Sequence, residues 1–512
     1  MWKLLSFLAH AGSAWCYTVG VHLATPTDIR GPIGVSFVSF SIEFSWFPEF
    51  AGNLSTPNTF TNQLLSNLGR VSGKPPYIRV GGNSQDNALY DPELEAAYKH
   101  VFNNPDIPYP TSMTYGKAYF EGYQTLSGVK FSHGFNLGAN ETNGGIENLR
   151  ATFPLVCEAI GKDNFAFWEI GNEADTKSNR GPIRDHDEWG PAAYTEDWQS
   201  RMDLLAAMHE ETCGDKPLRM LGPSFAGLRW VEQALDLGLG GQLGAIGTHH
   251  YIANSLDPQV TLRGYLLNHT LTREGLASQE RIMQAVEDTN LPYIIGEGNS
   301  LYNQGRPGAS DVFGAALWNI DFSLLAASLG IHRIYFHQGV NYIYAGWQPS
   351  HVGTTHPSTK PPYYGHVAAA TTLGNSGERD VQVAELPLGS ETDSAYAIYE
   401  DGKLSRIAVL NMREYNHTSD LERPNQTYTF SLNGRGRKCG HKMAAVQRLL
   451  ADGADSISGI SWNGYSYNHD LDGGKPVLLS NVTAACNETV RLLNGTFSVD
   501  LSDSSFALIN LQ

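Results

Sequence analysis

The chain has 512 residues, 41% of them hydrophobic and 17% charged, with a formal net charge of −17. That supply of apolar side chains suits a large core in two domains and excludes an intrinsically disordered chain. The acidic surplus repels nucleic acid and long polyanions, so an acidic ligand is expected inside a pocket and not along a basic track.

In chain order, residues 1–14 have the pattern of a secretory signal peptide, with Lys3, a short apolar stretch and the small residues Gly12 and Ala14. Residues 15–30 read as an N-terminal strand that pairs with the C-terminal domain. Eight apolar runs then follow at 34–43, 77–82, 131–138, 165–173, 219–225, 245–251, 293–299 and 333–339. Helical periodicity fills the gaps between them, as at 198–208 and 312–318. Strand–helix alternation repeated eight times predicts an α/β architecture, a closed (β/α)8 TIM barrel over 31–351. The doubly wound sheet is the alternative, but the sequence offers it no glycine-rich phosphate loop. Beyond 352 short alternating runs, such as 394–399 and 407–411, are separated by Gly, Asn and Asp turns and predict an antiparallel β-sandwich to residue 512.

Several features point to a secreted, extracellular glycoprotein. Asn-X-Ser/Thr occurs at Asn53, Asn140, Asn268, Asn416, Asn425, Asn481, Asn487 and Asn494. Of the five cysteines, Cys16 lies near the expected cleavage site, and the other four allow three pairings. The simplest joins Cys157 to Cys213 and Cys439 to Cys486. No metal-ligand spacing occurs among them, and neither metal nor cofactor is expected. No later run is long enough to span a membrane, and the C-terminus lacks the apolar tail of an anchor signal. The basic cluster Arg435, Arg437, Lys438 and Lys442 reads as a solvated loop.

The chemistry concentrates in two glutamates. Glu173 closes the fourth run in Trp168-Glu169-Ile170-Gly171-Asn172-Glu173, and Glu297 interrupts the seventh in Ile295-Gly296-Glu297-Gly298-Asn299. Strand C-termini in such a barrel face the active site. Two carboxylates meeting there are the equipment for cleaving a glycosidic bond, one donating a proton to the leaving oxygen and the other attacking the anomeric carbon. Asn172, beside the expected donor, is placed to bind the sugar 2-hydroxyl.

These motifs resemble glycoside hydrolase clan A, and most of all family seventy-nine, the β-glucuronidase and heparanase-like group. Phe40-Ser41-Ile42-Glu43, Ile78-Arg79-Val80-Gly81-Gly82-Asn83-Ser84-Gln85-Asp86 and Thr248-His249-His250-Tyr251 complete the set. The resemblance implies that Glu173 is the acid/base, that Glu297 is the nucleophile and that the sugar is a terminal β-glucuronic acid, cleaved with retention. It implies that Arg79 holds a catalytic carboxylate and that Tyr251 orients Glu297. Glu43 and Asp86 would bind sugar hydroxyls, His249 and His250 would support or pack, and Tyr302 and Tyr344 would meet the uronate carboxylate. The expected partner is a glucuronide-bearing glycan or small glycoside, with no nucleic acid or membrane. A donor carboxyl loses its proton as pH rises, so an acidic optimum is expected. The alternatives are a clan relative acting on neutral sugars (a β-xylosidase or β-glucosidase), an endo-β-glucuronidase of heparanase type, and a non-enzymatic sugar-binding glycoprotein.

Overall fold

The computed structural model describes residues 16–103, 109–139, 144–176, 188–214, 216–433, 443–480, 482 and 488–511. The expected signal segment, Asn140, Asn481, Asn487, the basic cluster at 435–442, Cys439 and Cys486 lie outside the described residues.

Eight parallel strands close a barrel in sequence order: Val38–Glu43, Ile78–Gly81, Phe131–Phe135, Phe165–Ile170, Met220–Phe225, Leu243–Asn254, Tyr293–Tyr302 and Arg333–Gln338. Closure is made by the eighth strand on the first, from Ile334 opposite Val38 to Gln338 opposite Ile42. The strands read as apolar runs because both their faces are covered. Inside, Phe167, Leu221, Ala245, Ile294 and Tyr335 form a small cluster of their own near the strand starts. Towards the strand ends the inward residues turn polar, with Ser41, Arg79, Glu169, Glu297 and His337 all buried.

Helices Thr59–Ser72, Gly145–Ile160, Pro191–Cys213, His269–Ala285 and Phe313–Leu329 cover the outside. The crossover from the second strand to the third is built differently. It holds a three-stranded sheet of Ala88–Tyr90, Tyr98–Val101 and Ser112–Tyr115, followed by the 3-10 stretch Lys117–Gln124. The last barrel helix, Pro361–Leu373, falls past residue 351, where the sequence suggests the domain ends. Tyr363 on this helix donates to the Leu64 carbonyl at 2.8 Å, fixing it to Thr59–Ser72. A Cβ on its Gly365 would stand 2.3 Å from the Ala316 carbonyl, so glycine is what lets it lie against Phe313–Leu329.

The tail forms two facing sheets. Strand Cys16–His22 pairs in parallel with Asn425–Asn433, which pairs antiparallel with Thr496–Ser502. Across from them lies a nine-stranded sheet containing Asp393–Glu400, Lys403–Asn411, Ser505–Asn510 and Met443–Leu450. Val21, Ala397, Ile407, Tyr428, Phe430 and Ile509 fill the space between the two sheets. Tyr396, Ile398, Leu410 and Phe506 face the other way and join the main core with Phe322 of the barrel.

A polar cluster crosses the same junction. The wholly buried Asp321 accepts from His269 at 3.0 Å, Ser394 at 2.6 Å and Tyr396 at 2.7 Å, and the other nitrogen of His269 lies 3.0 Å from Glu385. Burial opposes a charge on His269, but Asp321 and Glu385 more than offset it and lift its pKa to about 10. A disulfide joins Cys157 to Cys213, whose Cα atoms lie 5.5 Å apart, and so links two barrel helices. Among the described residues no helix is long and apolar enough to cross a membrane.

Candidate active site

The two glutamates meet at the C-terminal mouth of the barrel. One carboxylate oxygen of Glu173, one of Glu297 and a ring nitrogen of His249 all lie within 4.8 Å of one another. Glu173 follows the fourth strand with φ 45, a left-handed conformation costly for a side-chain-bearing residue, and its N–H donates to the Ser224 carbonyl at 2.9 Å. Its carboxylate faces the more open side, with Oε1 2.9 Å from His249 Nδ1.

Glu297 sits deeper, on the seventh strand. Arg79 Nη1 donates to its Oε2 at 2.8 Å and Tyr251 Oη to its Oε1 at 2.8 Å, while His337 Nδ1 stands 3.5 Å from Oε2. Burial alone would raise its pKa. The positive charge of His337, His249 and Arg79, with the Tyr251 hydrogen bond, reverses this and holds it down to about 2. Arg79 is itself wholly buried, and its remaining donors reach Glu169 at 2.5–3.2 Å, Ser41 at 2.9 Å and Asn172 Oδ1 at 2.7 Å. Burial works against its charge, but Glu169 and Glu297 raise its pKa above the ordinary arginine value.

Glu43 ends the first strand and is enclosed by donors. Its Oε1 accepts from the Ser84 N–H at 2.9 Å and Oγ at 2.5 Å, while Oε2 meets His337 Nε2 at 3.2 Å and Tyr342 Oη at 3.1 Å. Gly82, at φ 105, permits the approach, since a Cβ there would stand 2.6 Å from Glu43 Oε1. Burial disfavours an imidazolium at His337, yet Glu297 and Glu43 on either side raise its pKa.

These groups open into a cleft of about 740 Å³ lined by Glu43, Glu173, Tyr251, Glu297, Tyr302 and Tyr344, with Tyr109 and Pro110 on the side of the three-stranded insertion. Among its described lining residues there is no lysine or arginine. Tyr302 is 44% exposed, whereas Tyr344 is buried and keeps its proton because burial and the nearby Glu297 push its pKa well above the ordinary value.

Two expected sugar contacts fall elsewhere. Asp86 is buried beneath the cleft, outside its lining, and accepts from the Leu137 N–H at 2.8 Å and the Asn172 N–H at 3.0 Å, so it ties three loops together. Asn172 is wholly buried as well, with its Nδ2 donated to Asn83 Oδ1 at 2.9 Å, and Asn83 takes the place on the cleft wall. His250 stacks on Phe322 at 5.4 Å and is pushed down to about 4 by burial, a neutral packing group. His337, Tyr342 and Glu169 are functional neighbours absent from the sequence reading. The signal for Glu169 and His337 is present, because a charged or titratable residue inside a buried strand needs partners. Glu173, His249 and Glu297 have the donors of a cation site, but the Arg79 guanidinium 2.8 Å from Glu297 would repel one.

Residues 395–508 match the glycosyl hydrolase family 79 C-terminal beta domain. A beta-glucuronidase of Aspergillus niger is 42% identical over 517 residues, covering 96% of this chain and 94% of that one. A beta-glucuronidase of Neurospora crassa is 38% identical over 529 residues, covering 94% and 93%. In fold, the chain is similar to a 4-O-α-L-rhamnosyl-β-D-glucuronidase from Fusarium oxysporum, with a TM-score of 0.80 at 22% identity, covering 96% of this chain and all of the other. With the paired glutamates in place and identity of 42% sustained along nearly both whole chains, this protein belongs to glycoside hydrolase family seventy-nine.

Proposed function

We propose that the chain is a retaining, exo-acting β-glucuronidase that removes terminal β-D-glucuronic acid, with or without a 4-O-methyl group, from glycoconjugates or glycosides. The observation that carries this reading is the spacing of the two carboxylates, within 4.8 Å at their nearest oxygens. Retaining enzymes hold the pair about 5–5.5 Å apart, and inverting ones leave room for a water between them. Glu297, kept ionised by its cationic neighbours, attacks the anomeric carbon and forms a glycosyl ester. Glu173 protonates the departing oxygen. In the second step the Glu173 carboxylate takes a proton from water, whose oxygen attacks the same carbon and releases Glu297. Arg79 and Tyr251 fix the attacking carboxylate, and Glu43, held by Ser84, His337 and Tyr342, accepts from sugar hydroxyls.

The uronate meets neutral donors. Tyr302 and Tyr344 supply hydroxyls, and the adjacent Asn303 and Gln304, at φ 61 and 62, turn the chain along the same cleft wall. A lysine there would favour the ionised form of Glu173 and oppose proton donation. The deciding experiment follows hydrolysis of a nitrophenyl β-glucuronide by proton NMR and traps the enzyme with a 2-fluoro glucuronide. The β anomer should appear first, and the label should attach to wild type but not to Glu297→Gln. Release of the α anomer would refute the assignment, and equal rates on the nitrophenyl glucoside would refute the choice of sugar.

Secretion is part of the same proposal. Asn53, Asn425 and Asn494 are exposed acceptors, and the Cys157–Cys213 bridge suits an oxidising compartment. Protein made in a eukaryotic host should gain mobility on a gel after endoglycosidase treatment, and an unchanged band would count against it.

A further inference from the structure

A second cavity, of about 400 Å³, lies at the opposite, N-terminal end of the barrel. Its walls come from the strand starts and from Ser376, Arg379 and Asp380, in the segment that leads from the last barrel helix to the tail sheets. Lys130, Arg219 and Arg333 line it, with Asp380 the acidic residue among its described lining. A protein of net charge −17 has little reason to gather cations unless something offsets them.

Arg333 opens the eighth strand and is 4% exposed. Its Nε and Nη2 donate to the Val35 carbonyl at 3.1 and 2.8 Å, and its guanidinium lies 3.9 Å over the Tyr77 ring. Among the described residues the group has no carboxylate partner, and its further neighbour is Tyr335, whose ring centre lies 6.0 Å from the guanidinium. A buried arginine is ordinarily paired, because desolvating its charge is costly. The neighbouring cations are more exposed but also lack ion pairs among the described residues. Arg219 lies 4.7 Å over Phe167, and Lys130 Nζ donates to the Asp163 carbonyl at 3.2 Å, with no ion pair to either among the described residues. Arg379 differs, since Asp401 already holds it at 2.6 Å. His332 adds no charge, because burial and the adjacent Arg333 lower its pKa to about 4.

We infer that this cavity is a binding site for a small doubly charged oxyanion, inorganic sulfate or phosphate, held by Arg333, Arg219 and Lys130. Three unmatched cations facing one aspartate leave a surplus of about two charges, which such an ion neutralises. Arg333 is preorganised by Val35 and Tyr77, so its guanidinium would meet the ion without further ordering. The bound ion would lie where the chain leaves the barrel for the tail sheets. Its effect is therefore on the folded state and not on hydrolysis at the far end of the barrel.

The test is calorimetric titration of the purified protein with sodium sulfate, and separately with sodium phosphate, at ionic strength held constant with sodium chloride. Each should give saturable one-to-one binding, and Tm should rise by about 2 °C at a hundredfold excess over Kd. Lys130→Gln and Arg219→Gln should each weaken binding about tenfold, together remove it, and leave glucuronide hydrolysis at the wild-type rate. Arg219 is exposed and Lys130 half-buried, so these variants keep the test decisive if Arg333→Gln fails to fold. Saturating glucuronic acid should leave sulfate binding unaltered. Absence of saturable heat, unchanged affinity in the double variant, or displacement of sulfate by glucuronic acid would each overturn the assignment.

Discussion

Tyr251→Phe isolates one interaction of Glu297, the proposed nucleophile. The change removes the hydroxyl that donates to Glu297 Oε1 at 2.8 Å and keeps the ring, which packs 6.4 Å from Tyr302 and 6.2 Å from Tyr344. A hydrogen bond to a buried charge contributes about 1.5–3 kcal/mol. At 1.36 kcal/mol per pKa unit this corresponds to a rise of about 1–2 in the Glu297 pKa, from its starting value of about 2. The nucleophile must be ionised, so the acid limb of kcat/KM should move up by about 1–2 pH units while the alkaline limb stays in place. On the plateau kcat/KM should fall about 10- to 100-fold, since the hydroxyl also orients the attacking oxygen. The assay is a pH–rate profile on nitrophenyl β-glucuronide from pH 2.5 to 8. A variant whose acid limb coincides with that of wild type would refute Glu297 as the group controlling that limb. A shift confined to the alkaline limb would interchange the roles of the two glutamates.

Other outcomes follow from the same geometry. Tyr302→Phe should lower selectivity for glucuronides over glucosides about tenfold with the glucoside rate unchanged, measured on the paired nitrophenyl substrates. Glu173→Gln should slow substrates with poor leaving groups by about 10²–10⁴-fold and those with good ones far less, read from a series of aryl glucuronides. His269→Leu should destabilise the protein by about 3–5 kcal/mol, because Asp321 is left buried without its cation. The raised pKa of His269 makes its contribution complete below about 6.5 and lost as pH rises through about 10. Melting curves of variant and wild type should accordingly converge at the alkaline end, and a gap that stays constant with pH would show packing, not charge, to be responsible.

The barrel was legible because its strands are buried on both faces and therefore stand out as continuous apolar runs, each stopped by a turn. Glu173 and Glu297 were legible for a related reason, since a carboxylate at the end of such a run has little to do except chemistry. Asp86 and Asn172 show where this reasoning stops. Asp86 lies in the 3-10 turn Asn83–Asn87, and no local pattern tells whether a short turn directs its carboxylate to a ligand or to the N–H groups of the next two strand ends. His337 and Tyr342 belong to Glu43 only through tertiary proximity, across nearly 300 positions. The three-stranded insertion hid for another reason, because its strands are short and half-exposed and lack a strong period. The helix Pro361–Leu373 is apolar almost all round, so its sequence does not separate a barrel helix from the start of the tail.

The arrangement around Arg79 has a bearing on turning hydrolysis into synthesis. Its guanidinium is matched one-to-one by Glu169, which grips it independently of Glu297. Excising the Glu297 carboxylate, as in Glu297→Gly, therefore leaves a neutral pair in place and opens a small void edged by Arg79, Tyr251 and His337. Such a void suits the halide of an α-glucuronosyl fluoride, with Glu173 still present to take a proton from an acceptor alcohol. The buried arginine thus makes the scaffold a candidate glycosynthase, able to build glucuronides it can no longer cut.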